Sequence, residues 1–297
     1  WNDTTISEKE AVIHFSAEIK NYGKTEEKAL VVFNVKDSEG NRVASVNENF
    51  YLLPGNEIII EKSLLVENPV LWSLENPYLY KIYAEIFKGE ERVDSDVVEY
   101  GIRTLQWDIF GPKATNRFYL NGDPVFINGT AEYEHLFGQS HAFSNEQVKT
   151  RVEQFKAMGF NSFRDGHQPH NFRYHEVWDR EGILWWPQMS AHIWFDTPEF
   201  RSNFKNLLTE WVKERRNSPS VILWGLMNES TLPEDFAREC TELIRKLDPT
   251  TSSQRLVTTC NGGSGTDWNV VQNWSGTYGG NPDKYDEELS VQLLNGE

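Results

Sequence analysis

The feature that most constrains this chain is a change of hydrophobic rhythm near Trp107. Before it, from Ala11 to about Thr104, apolar and polar residues alternate in segments such as VIHFSAEIKN, ALVVFNVKDSEGNRV, EIIIEKSLLV and YLYKIYAEIF. Successive side chains on a strand point to opposite faces, so a period of two predicts half-buried strands. Leu30, Val32 and Asn34 read as one such alternating set, and Leu79, Lys81, Tyr83 and Glu85 as another. Turn residues at Ser38-Glu39-Gly40-Asn41, Leu53-Pro54-Gly55-Asn56 and Lys88-Gly89-Glu90 punctuate the run, a spacing that suits a small antiparallel sandwich.

After Trp107, short apolar segments alternate with amphipathic ones, the pattern of parallel strands joined by helices. PVFIN (124–128) is expected as the first strand. NEQVKTRVEQFKAMG follows as a helix, with Ser144 as its N-cap and Gly159 just past its end. NSFRDG is strand two, a helix covers 172–181, and GILWWPQM is strand three. PEFRSNFKNLLTEWVKERRN is a long helix with Pro198 in its first turn, and SVILWGL is strand four. A helix at 234–247 precedes RLVTTC, NVVQNW and SVQLLNGE as strands five, six and seven. The expected architecture is a β-sandwich over residues 1–106, followed over 107–297 by an incomplete (β/α)8 TIM barrel with strands 1–7 only. A barrel without its last strand carries two unpaired edges, so the chain is expected to be a fragment.

Composition narrows the function classes. A length of 297 residues exceeds the usual size of one hydrophobic core, in keeping with two units. The formal charge of −16 repels phosphate backbones and anionic lipid, which argues against nucleic-acid and membrane partners. The 11 tryptophans fit either large cores or a carbohydrate site, because the C–H face of a pyranose stacks on an indole. Cys240 and Cys260 have no metal-binding spacing and read as packed thiols. There is no apolar run of membrane-spanning length and no signal-peptide pattern. The chain opens on Trp1 without an initiator methionine, which leaves the compartment open.

Reactive groups in a parallel barrel gather at the C-terminal ends of the strands. That rule selects Gly129 to His135 after strand one, Arg164 to His167 after strand two, Gln188 to His192 after strand three, Asn228 and Glu229 after strand four, Asn273 and Trp274 after strand six, and Glu297 at strand seven. Glu229 and Glu297 thus face one another across the barrel mouth. Two opposed carboxylates can cleave a glycosidic bond, one donating a proton to the leaving oxygen and the other attacking the anomeric carbon. Retention of configuration requires them about 5–5.5 Å apart. Asn228 is placed to bond the sugar 2-hydroxyl, a contact that strengthens in the oxocarbenium-like transition state.

The stretch NSPSVILWGLMNES (217–230) resembles the acid/base signature of glycoside hydrolase family 2, the family of β-galactosidases, β-glucuronidases and β-mannosidases. FYLNGDPVFINGT (118–130) with EYEH (132–135), MGFNSFRDGHQPHN (158–171), NPYLYKIYAEI (76–86) and YGIRTLQWD (100–108) extend the resemblance over nearly the whole chain. It implies an immunoglobulin-like sandwich before the catalytic barrel. It implies Glu229 as acid/base, Glu297 as nucleophile, Asn228 as the 2-hydroxyl partner, and His167 and Arg164 on the subsite floor; His135, His192 and Trp274 complete the candidate substrate-binding set. The implied activity is a retaining exo-β-glycosidase of β-galactosidase type that acts on an oligosaccharide or glycoside and requires no cofactor. Some relatives hold Mg²⁺ or Na⁺ near the site, but no ligand set for one is readable. Many relatives are periplasmic or secreted.

The chain departs from the family pattern at Glu132 and Tyr133, where a basic residue and a histidine are common, and at WPQMSAH, where an acidic residue is common. Galactose, glucuronic acid and mannose are not distinguished by these residues. Three other readings stay open: a non-catalytic carbohydrate-binding fragment, a pseudoenzyme, and a transglycosidase using the same residues.

Overall fold

The computed structural model describes residues 1–7, 9–134, 142–190, 192–193, 195–230 and 232–270. Its first part is built from six antiparallel strands: β1 (Glu10–Lys20), β2 (Glu27–Lys36), β3 (Arg42–Leu52), β4 (Glu57–Glu67), β5 (Tyr80–Lys88) and β6 (Glu91–Tyr100). β1 pairs with β4, and a second sheet runs in the order β3-β2-β5-β6. Ile13, Phe15, Val31, Phe33, Val35 and Ile82 fill the space between the sheets. The buried face of β2 is therefore the odd-numbered set, and the expected set of Leu30 and Val32 is only half-buried. A run apolar on both faces does not reveal its inner side by alternation alone. The three expected turns carry Gly40, Gly55 and Gly89 at positive φ, the conformation that glycine enters without steric cost.

A small antiparallel sheet follows: β7 (Leu105–Asp108), β8 (Arg117–Leu120) and β9 (Asp123–Val125). It corrects the reading of 124–128 as the first barrel strand, since β9 turns back on β8 through Asn121 and Gly122, at φ 54° and 87°. Two successive residues at positive φ match the tight hairpin turn that Asn-Gly favours. The barrel strand begins four residues later, as β10 (Gly129–Glu132). Leu105, Phe118 and Leu120 of the small sheet pack with Trp72, Leu184, Ile222 and Leu223, closing the end of the barrel where its strands start. The expected boundary at 106/107 falls inside β7.

The parallel strands continue as β11 (Ser162–Asp165), β12 (Leu184–Trp186), β13 (Leu223–Asn228), β14 (Leu256–Cys260) and β15 (Trp268–Val270). They form two runs, β10-β11-β12 and β13-β14-β15, joined by parallel bridges at Trp185–Val221 and Gln188–Gly225. Helices α1 (Asn145–Ala157), α2 (Phe172–Glu181), α3 (Pro198–Arg215) and α4 (Glu234–Leu247) surround them and bury Phe155, Trp178, Leu208, Trp211, Phe236 and Ile244 against the strands. Ser144 caps α1 through a reciprocal bond with Gln147, and Thr197 caps α3 ahead of Pro198. The expected seventh strand and the end of the sixth lie outside the described residues.

Sandwich and barrel are tied by buried polar contacts. Trp72 donates its indole N–H to Asp179 O at 2.8 Å. Arg103, buried at the junction, donates Nε to Pro219 O (2.9 Å), Nη2 to Val221 O (3.0 Å) and Nη1 to Gln254 Oε1 (3.2 Å). Burial, with Arg255 close by, lowers the Arg103 pKa to about 9. A cleft of about 450 Å³ opens on this side, lined by residues such as Phe15, Ile82, Asp96, Lys213 and Asp248. It faces the strand starts, at the opposite end of the barrel from Glu229.

Candidate active site

The ends of β11, β12 and β13 converge on one polar cluster. Asn228 closes β13 and is fully buried. Its backbone N–H donates to Ser190 O (3.0 Å) and its carbonyl accepts from His192 N (3.1 Å), so the segment after β12 grips the end of β13 on one side. On the other side Glu229 N donates to Cys260 O at 2.8 Å. Ser230 Oγ adds a bond to Asn228 O (3.0 Å) and accepts from Ile193 N (2.6 Å). Between these clamps Glu229 takes φ of 49°, a left-handed backbone that costs a residue other than glycine about 1–3 kcal/mol. Strain of this kind persists only where the surroundings over-determine it. Here the surroundings are bonds on both flanks of the half-buried carboxylate.

Arg164, in β11, organises the floor. Its Nη2 donates to Asn228 Oδ1 at 2.7 Å and to Gln188 Oε1 at 3.1 Å, and its guanidinium lies over the Trp186 ring at 4.8 Å. Burial lowers the Arg164 pKa, while Cys260, Asp165, Glu229 and Tyr133 act in the opposite direction. Gln188 is fully buried and sits against Gly225, where a Cβ would come within 2.8 Å of its Oε1. Glycine at 225 is what lets the amide and β13 approach so closely. His167, two residues beyond β11, meets the Tyr133 ring edge-on, with centroids 5.3 Å apart and planes at 85°. Its pKa is lowered to about 4, first by burial and then by Arg164 and His192, so the imidazole is neutral near pH 7.

Of the residues expected from the sequence, Arg164, His167, His192, Asn228 and Glu229 thus come together at one end of the barrel. His135, Trp274 and Glu297 lie outside the described residues. Tyr133 and Gln188 fall within the stretches expected at the strand ends but have no role of their own assigned there; the structure brings both into the cluster and adds Trp186. A buried amide at the end of an otherwise apolar strand was the one available signal for Gln188. Among the described residues, no group of three or more His, Cys, Asp or Glu is arranged to hold a metal ion.

Residues 113–281 match the family model for the TIM barrel domain of glycosyl hydrolases family 2, and residues 1–103 match a second model of the same family. The chain belongs to glycosyl hydrolase family 2. Among its family 2 relatives, the β-galactosidase BoGH2A of Bacteroides ovatus is 28% identical over 234 residues, covering 76% of this chain and 27% of the relative. A β-glucuronidase of Bacteroides fragilis is 25% identical over 221 residues, covering 70% of this chain and 31% of the relative. The crystal structure of Bacteroides uniformis β-glucuronidase superposes with a TM-score of 0.83 at 23% identity, covering 98% of this chain and 37% of that one, a likeness of fold. This family 2 chain therefore spans about a quarter to a third of the length of these curated relatives.

Proposed function

We propose that this chain carries the acid/base part of a retaining exo-β-glycosidase, acting on terminal β-linked sugars of β-galactoside type. The observation that supports the reading is Glu229 itself: a half-buried carboxylate in left-handed backbone at the end of β13, next to an Asn228 held by Arg164. In this reading Glu229 protonates the leaving oxygen while Glu297 attacks the anomeric carbon. Glu229, now ionised, then takes a proton from the water that releases the sugar. Asn228, its oxygen occupied by Arg164, turns its amide N–H group toward the sugar 2-hydroxyl. The relative named β-galactosidase supports galactosides as the first substrates to try, and the relative named β-glucuronidase supports glucuronides as the second.

The test is Glu229→Ala in the full-length protein that carries this chain. Loss of a general acid costs about 10²–10⁴-fold. That loss is expected with alkyl or sugar leaving groups and should largely disappear with a 2,4-dinitrophenyl leaving group. Added azide should restore turnover and yield a β-glycosyl azide. Unaltered hydrolysis of a disaccharide by the variant would remove Glu229 from the mechanism.

A further inference from the structure

A second group of reactive side chains stands on the sandwich, on the outer face of the β1-β4 sheet. His14 and Ser63 lie directly opposite each other across these strands. At the two ends of the pairing Asn68 N donates to Lys9 O and Asn21 N to Asn56 O, so the hydrogen-bonded pairs fall on the odd residues of β1. His14 and Ser63 are therefore a non-hydrogen-bonded pair, the kind whose side chains come closest. His14 Nδ1 and Ser63 Oγ are 2.7 Å apart, and His14 Nε2 lies 2.9 Å from Asp3 Oδ1. A carboxylate only accepts, so in the neutral ring Nε2 carries the proton and Nδ1 accepts from the Ser63 hydroxyl. The arrangement is held from beneath. Asn2, the neighbour of Asp3, is fixed in the buried junction by Tyr100 Oη (2.7 Å) and by its own bond to Arg103 O (2.9 Å), and the Trp1 indole stacks on the imidazole at 5.1 Å. Since Ser63 shares no ladder bond with His14, its backbone N–H points to the outer edge of β4, which pairs with no other described strand. Val12 and the exposed Leu65 are the next opposed pair on the same face.

We propose that Ser63, His14 and Asp3 form a second reactive site, one that hydrolyses short-chain carboxylic esters and is independent of Glu229. A nucleophile bonded to a base that a third group orients is the constellation of acyl transfer, recognised by geometry and role rather than by sequence order. Ser63 Oγ attacks the ester carbonyl carbon while its proton passes to His14 Nδ1, and the Ser63 N–H faces the side on which the oxyanion can settle. The ester C–O bond then breaks, and the alcohol leaves with the proton from Nδ1. Water adds to the acyl-serine, again giving a proton to Nδ1, which returns it to Ser63 as the carboxylic acid departs. Asp3 keeps its proton count throughout and stabilises the imidazolium that forms twice. Val12 and Leu65 offer the acyl chain an apolar seat large enough for a few carbons only.

The experiment treats the full-length protein with an alkyl fluorophosphonate, which phosphonylates activated serines, and locates the adduct by peptide mass spectrometry. 4-Nitrophenyl butyrate serves as the turnover probe. Wild type is expected to carry the adduct on Ser63 and to hydrolyse the butyrate. Ser63→Ala should abolish both. His14→Gln, which removes the base, should slow labelling of Ser63 about a hundredfold, the lower range for loss of a general base. Asp3→Asn should slow it as well, while the urea midpoints of Ser63→Ala and Asp3→Asn stay at the wild-type value. A wild-type protein left unlabelled at Ser63 overturns the inference whatever the variants do. So does labelling of Ser63 at the same rate in wild type and His14→Gln, because the hydroxyl would then owe nothing to the imidazole.

Discussion

Replacing Arg164 by lysine is the sharpest perturbation of the cluster, because it keeps the charge and removes the geometry. In the structure one guanidinium nitrogen reaches Asn228 Oδ1 at 2.7 Å and Gln188 Oε1 at 3.1 Å, while the planar group lies on Trp186. An ammonium on a shorter stem can neither stack in this way nor hold both acceptors, and it is more strongly hydrated. A hydrogen bond from a charged donor contributes about 1.5–3 kcal/mol. If that energy serves to orient Asn228, its loss converts to roughly 10–150-fold in kcat/KM, at about 1.4 kcal/mol per tenfold. The assay is a cycle in which wild type and Arg164→Lys each meet an aryl β-glycoside and its 2-deoxy analogue. Wild type should discriminate strongly between the two substrates. The variant should discriminate much less, because an unheld Asn228 no longer reads the 2-hydroxyl. Equal discrimination by both enzymes would refute this account of Arg164, even if the variant were slow overall.

Two stability predictions follow from hydrogen-bond accounting at the junction of sandwich and barrel, both read from urea unfolding. Arg103→Met removes three donors, yet Val221 O keeps Arg255 Nε at 2.9 Å and Gln254 Oε1 keeps Leu105 N at 3.1 Å, so among the described residues only Pro219 O is orphaned. The expected cost is about 1–3 kcal/mol, whereas Arg255→Met takes the ion-pair partner from the buried Asp248 carboxylate, which keeps only the bonds from Trp224 and Thr250, and should cost about 3–5 kcal/mol; equal costs would sink the argument. Asp179→Asn tests burial directly: desolvation raises the Asp179 pKa to about 6, against opposing bonds from Ser218 and Ser220. The folded state therefore binds more protons than the unfolded one between about pH 4 and 6, and stability falls as pH rises through that window, by about 3 kcal/mol in all. Both bonds end on Oδ1, which an asparagine oxygen can replace, so the variant should lose this slope and gain stability at pH 7.5 relative to wild type. An unchanged slope would place its origin elsewhere.

What could be read from the sequence divides along physical lines. Local chemistry was legible: Ser144, Pro198 and Gly159 marked helix ends, and the Asn228-Glu229 pair marked the end of a strand. The Asn121-Gly122 hairpin was equally local, but the apolar run PVFIN masked it, because a short apolar stretch fits a barrel strand as well as the second arm of a hairpin. Partners across strands were not legible at all. Arg164 reaches Asn228, 64 residues away, only because of how β11, β12 and β13 are aligned. That alignment includes an irregularity in which Gly225 pairs with Thr258 and Met227 already pairs with Thr259, so Leu226 is the extra residue. One extra residue turns every side chain after it to the other face of the strand. The bulge therefore decides which of the two adjacent residues at the end of β13 meets Arg164 and which is left to the mouth. Its only trace in the sequence is a glycine, and that glycine is also the place where Gln188 comes up against β13. Adding a side chain there, as in Gly225→Ala, would press on the Gln188 amide and the bulge together. The same substitution would therefore disturb both the floor of the site and the direction in which Glu229 points.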